Sequence, residues 1–144
     1  MSPVRAVFVD SGAWIALVKR NDRLHALARQ HYERLYANGT ALLTTNYVVD
    51  ETVTRLRYDA GLQAARDYRT RLSALCTIRK ARLAWIDERK EAEGWRILEQ
   101  YADVRLSLTD ATSAAVAREA RITTIFGFDL DFQALGFVVE PVLS

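Results

Sequence analysis

Short apolar runs alternate with longer stretches of helical periodicity along most of this chain. Val4 to Val9 is apolar and rich in β-branched residues, which predicts a strand, and Ala13 to Val18 follows as a helix opened by Ser11 and Gly12. A second helix is expected over Arg23 to Ala37, closed by Asn38-Gly39 as a left-handed cap, with a buried strand at Ala41-Leu42-Leu43. Thr45 or Asn46 can cap a helix that ends near Gly61, another helix covers Leu62 to Cys76, and Arg82 to Ile86 reads as a strand. Helices over Glu88 to Tyr101 and Asp110 to Arg121 come next, and Thr123 to Phe126 and Phe137 to Val139 supply the last strands. Strands that do not alternate with polar residues, separated by helices, indicate an α/β fold with a parallel sheet covered on both faces.

In such sheets ligands bind beyond the carboxyl ends of the strands. Asp10 stands at the end of the first strand, and Gly127-Phe128-Asp129-Leu130-Asp131 follows a later one. Asp129 is the first residue past that strand, whereas Asp131 precedes a short helical turn stopped by Gly136 and reads as its N-cap. Glu51 is expected to point away from the apolar stripe Val49, Val53, Leu56 of its helix, and Asp110 to open its own helix, where a carboxylate meets the dipole favourably. Several carboxylates without histidine or cysteine beside them suit a hard cation, Mg²⁺ or Mn²⁺, bound through oxygen. One or two such ions activate water and neutralise charge on a phosphate, which makes a nuclease one candidate.

Composition narrows the alternatives. At 144 residues, half of them hydrophobic, the chain is read as one domain, residues 1–144, with no bilayer-spanning apolar stretch and a cytoplasmic location. One cysteine, Cys76, and two histidines, His25 and His31, cannot build a disulfide framework or a four-ligand zinc site, and both histidines are expected on a helix surface. Trp14, Trp85 and Trp95 read as core or interface rather than as stacking platforms. The net charge is only +2, but Arg55 to Arg82 holds eight bases against two acids, a surplus of +6 that leaves −4 for the remainder. A basic lobe beside an acidic pocket could hold a phosphate backbone, with Arg66, Arg69 and Arg71 as candidate contacts.

The motifs in order resemble those of the PIN-domain ribonucleases, and within them the VapC-type toxins of toxin–antitoxin pairs. VFVDSGAWIAL is similar to the family's first motif, with its acid at Asp10 and hydroxyl at Ser11; TTNYVVDETVTRL is similar to the second, with Glu51. LSLTDATSAAVAREARITTI resembles the third, with Asp110, and FGFDLDFQALGF the last, with Asp129. Two positions depart from the pattern: Gly127 stands where Ser or Thr is common, and Arg121 where the third-motif helix commonly ends in Gly.

The resemblance implies a three-layer α/β/α sandwich with a mainly parallel sheet of about five strands. It implies a Mg²⁺- or Mn²⁺-dependent endoribonuclease in which Asp10, Glu51, Asp110 and Asp129 hold one or two ions, with Ser11 and Asp131 as accessory candidates. It also implies an RNA substrate, a homodimer, and a small antitoxin whose carboxy-terminal segment covers the acidic pocket. Two other readings stay open. A Mg²⁺-dependent phosphatase or phosphoacceptor domain also sets acids at strand ends, although a haloacid-type phosphatase would want Asp where Gly12 stands and a phosphoacceptor a lysine beyond Lys90. The other is a catalytically silent RNA- or partner-binding domain.

Overall fold

Four apolar residues, Ala6–Val9, form β1, three of them buried, and the computed structural model describes residues 5–143, so the expected start of this strand at Val4 lies outside the described residues. Helix α1 is Ser11–Val18, with Asp10, not Ser11, in the N-cap position. Helix α2 is His25–Ala37. It starts two residues later than expected because the Asp22 carboxylate accepts from the Leu24 amide (2.8 Å) and holds the preceding residues in a turn. Gly39 then turns the chain with φ of 69°, as its left-handed signal required.

Strand β2 is Ala41–Thr45, and α3, Asn46–Asp59, starts directly from it, capped by the Thr45 hydroxyl accepting from the Val48 amide. Helix α4 is Leu62–Thr77 and β3 is Ala81–Ala84, displaced from the expected Arg82 to Ile86. The cause lies in the pairing: Leu42 to Thr45 match Ala81 to Ala84, and beyond them the Ile86 amide is taken by the Asn46 side chain at 2.6 Å. Helices α5, Glu88–Gln100, and α6, Leu108–Glu119, precede β4, Thr124–Phe126; a 3₁₀ turn, Leu130–Leu135, leads to β5, Val138–Glu140. Arg121 adopts φ of 58°, the conformation for which the related motif commonly supplies Gly.

The five strands form one sheet in the order β3-β2-β1-β4-β5, every pairing parallel, with helices on both faces. Strand order reverses between β1 and β4, so the crevice for a ligand opens where those two strands end. Their register pairs Val9 with Phe126, which brings Asp10 beside Gly127; the Asp10 amide donates to the Phe126 carbonyl at 3.0 Å. Phe8, Val9, Ile125 and Phe126 are fully buried beneath that edge.

Both histidine expectations change. His31 is buried, its ring edge-on to Phe126, because α2 turns this face onto β4 rather than to water. His25 is half-buried, its Nδ1 2.7 Å from the Ala16 carbonyl. Trp14 is core, packed on Tyr68, whereas Trp85 and Trp95 are exposed, since the chain leaves the sheet just before Trp85 and α5 buries only Gly94 and Ile97. No helix among the described residues is long and apolar enough to cross a membrane.

Candidate active site

Asp10, Glu51, Asp110 and Asp129 line one cleft of about 480 Å³ together with Ser11, Gly12, Arg55, Ser107 and Phe128. Each acid reaches it by a different route. Asp10 is fixed by the end of β1, and its side chain makes no capping bond to α1. It is 5 % exposed, and its Oδ1 is buried without a hydrogen-bond partner among the described residues.

Glu51 enters from α3. The helix buries Val48, Thr52 and Leu56, a stripe one residue off the expected Val49 and Val53, which turns Glu51 to the cleft. The Ser11 hydroxyl donates to Glu51 Oε1, so the first two motifs are joined by a direct hydrogen bond. Asp110 is not the first residue of its helix. It is the N3 member of a capping box: the Ser107 hydroxyl accepts from the Asp110 amide, and the Ser107 amide donates to Asp110 Oδ2, both at 3.0 Å.

Asp129 lines the cleft and also caps the 3₁₀ turn, its Oδ1 accepting from the Asp131 amide at 2.9 Å. This corrects the expectation for Asp131, which is exposed inside the turn and does not cap it. The turn begins at Leu130, two residues earlier than the Phe132 pattern suggested, and the cap moves with it from Asp131 to Asp129.

Electrostatics tie the acids together. Burial, then the charge of Asp110, pushes the Asp10 carboxyl up to about 7; the nearby Ser11 amide opposes the rise, and Glu51 and Asp129 add to it. Asp110 is also raised, by burial first and then by Asp129 and Glu51 against the stabilising Ser107 contacts. A cation among these groups relieves both the repulsion and the orphaned Asp10 oxygen. Among the described residues no three of them close into a ligand cage by themselves. Carboxylate oxygens with no histidine or cysteine in the cleft lining are the donor chemistry of a hard ion such as Mg²⁺, which keeps several waters.

The basic residues divide. Arg66 and Arg69 are exposed on α4 and absent from the cleft lining, and Arg71 borders a separate groove of about 700 Å³ with Trp14, Tyr32 and Tyr68. That larger groove holds a single carboxylate, Glu33, which pairs with Arg29 at 3.1 Å, so it lacks the chemistry of the acidic cleft. Arg55 is the arginine that lines the acids. Sequence reading placed it only in a basic stretch; its spacing of four from Glu51 was the available signal.

A family model described as PIN domain matches residues 7–138. The chain belongs to the PIN domain family. This PIN domain is 34% identical over 137 residues to the 23S rRNA-specific endonuclease VapC20 of Mycobacterium tuberculosis, in both the CDC 1551 / Oshkosh and H37Rv strains, covering 94% of this chain and 98% of the relative. It superposes on the crystal structure of VapC20, described as a sarcin–ricin loop cleaving toxin, with a TM-score of 0.78 and 32% identity over 92% of this chain and 96% of that one. The Pyrobaculum aerophilum protein PAE2754 shares the fold at a TM-score of 0.62 and 17% identity, covering 94% and 89% of the two chains.

Proposed function

We propose that this PIN domain is a divalent-metal-dependent endoribonuclease and the toxin of a toxin–antitoxin pair. The observation that carries the reading is one cleft lined by four carboxylates from four separate segments, one of them with a buried, unpartnered oxygen. Likeness to VapC20 over nearly the whole chain supports it.

In this reading Asp10, Glu51, Asp110 and Asp129 hold one or two Mg²⁺ or Mn²⁺ ions. Bound there, the metal supplies activation of water and neutralisation of charge developing on phosphate. The protein supplies position: Ser11 orients Glu51, the capping box fixes one oxygen of Asp110, and the strand end fixes Asp10. Arg66, Arg69 and Arg71, exposed on α4, hold backbone phosphates away from the reacting bond. The partners are RNA, with a sarcin–ricin-type loop of 23S rRNA as the first substrate to test, a second copy of the chain, and a small antitoxin. A cationic antitoxin segment would complement the acidic cleft through charge-assisted hydrogen bonds. A cytoplasmic location follows from that substrate.

The test is to incubate the purified chain and its Asp10→Asn variant with 23S rRNA and Mn²⁺ and to map the RNA ends. The proposal expects a small number of defined internal cuts by the wild type and none by the variant. Intact RNA, or equal cutting by both proteins, overturns it.

A further inference from the structure

Among the described residues, Arg55 is the only cation lining the cleft that holds the four acids. Its Nη1 lies 3.4 Å from Ser11 Oγ, the same hydroxyl that donates to Glu51. Glu51 and Arg55 are four residues apart on α3, about one helical turn, and so share a face. A guanidinium present only to balance the acids should pair with one of them. Among the described residues Arg55 makes no salt bridge, and Glu51 takes its hydrogen bond from Ser11 instead.

A guanidinium carries five N–H donors in a planar fork, and here one of them makes a single long contact to a hydroxyl. The rest of the fork is available at an exposed position on the cleft wall. A phosphodiester entering this cleft is an anion meeting four carboxylates, and it needs a cation on the wall it approaches. Two parallel N–H groups match two non-bridging phosphate oxygens, a geometry that lysine cannot reproduce.

Building on the nuclease reading, we propose that Arg55 binds the reacting phosphate of RNA at the edge of the acidic cleft, held toward it by Ser11. Ser11 thereby has two duties, orienting Glu51 as donor and Arg55 as acceptor.

The test uses Arg55→Gln and Arg55→Lys in the full chain. It reads kcat and KM for RNA at saturating Mn²⁺, Mn²⁺ affinity by calorimetry, and RNA affinity by fluorescence anisotropy in Ca²⁺. Arg55→Gln should lose about 100-fold in kcat/KM, as removal of one preorganised donor does, and Arg55→Lys should recover part of it. RNA affinity should fall about tenfold in Arg55→Gln, the loss of one charge-assisted pair. Mn²⁺ affinity should stay the same or tighten, because a cation has been removed from beside the ion.

Unchanged kinetics and RNA affinity in Arg55→Gln overturn the proposal while leaving the nuclease reading intact. Kinetics of Arg55→Gln that return to wild-type values once Mn²⁺ is raised to saturation also overturn it, since the loss then belongs to metal binding. Arg55-dependent RNA binding by a wild-type protein that does not cut supports the assignment and sinks the nuclease reading, and a wild type that neither binds nor cuts RNA sinks both.

Discussion

Gly127 lies directly against Asp10: a methyl group at Gly127 would come 3.1 Å from the Asp10 Cβ and 3.7 Å from its Oδ2. The parallel register of β1 and β4 makes this contact, since the residues that follow the Val9–Phe126 pair are these two. A larger side chain would press on the most buried of the four acids.

Gly127→Ala should therefore displace Asp10 by a few tenths of an ångström. The expected cost is about 1 kcal/mol of stability, the low end for overpacking, and about tenfold in cleavage rate, since small misplacements of reacting groups are costly. Denaturation midpoints and single-turnover rates check the two. An unchanged rate would show that the close approach has no bearing on Asp10.

Asp10 sets a pH dependence in the metal-free protein. Its carboxyl titrates near 7 when folded, against 3.8 as the ordinary value, so the folded state binds the proton more tightly. The stability this contributes is complete below pH 3.8 and is lost as pH rises toward 7. Buried His31, held below its usual 6.5 chiefly by desolvation, acts in the opposite sense: its contribution is full above 6.5 and fades as pH falls. Asp10→Asn should raise the melting temperature of the metal-free protein at pH 8 and flatten its fall between pH 4 and 7. Melting curves in chelator check this, and a fall as steep as that of the wild type would contradict it.

Asp129 and Asp131 should separate cleanly. Asn caps about as well as Asp, so Asp129→Asn should keep the 3₁₀ turn and lose cleavage by orders of magnitude. Asp131 is exposed and caps nothing, so Asp131→Ala should stay within about 0.5 kcal/mol of wild type and keep its activity. Loss of cleavage in Asp131→Ala would move the fourth acid two residues along.

Gly94 predicts a reversal of the usual helix rule. Ala in place of a mid-helix Gly ordinarily stabilises by up to about 1 kcal/mol. Here a Cβ would sit 2.6 Å from Thr112 Cγ2 and 3.3 Å from the Thr112 amide, where α5 packs closely on α6. Gly94→Ala should instead destabilise by about 1–3 kcal/mol, as overpacking does. A raised midpoint would refute the close packing.

The sequence made the architecture legible because each strand is a short apolar run and each helix carries its own stop or start, such as Gly39, Thr45 and Gly136. The acids at strand ends were legible for the same reason. Side-chain direction was not. The Asp129 cap, the Asp110 capping box and the Ser11–Glu51 bond depend on shifts of one or two residues in where an element begins or which residues it buries, which periodicity does not resolve. Burial of His31 needed the packing of α2 on β4, and the place of Arg55 needed the juxtaposition of α3 with the Asp10–Ser11 corner. Both are long-range relations.

The most direct test of the central claim is cleavage of a sarcin–ricin loop RNA by exhaustively chelated protein, followed by graded return of Mn²⁺. The account predicts no cleavage without metal, recovery that saturates with Mn²⁺, and a parallel rise in melting temperature, because the ion binds the folded cleft and not the unfolded chain. Asp10→Asn should show neither response. Undiminished cleavage in the chelated protein would contradict a metal-dependent site built from these four carboxylates.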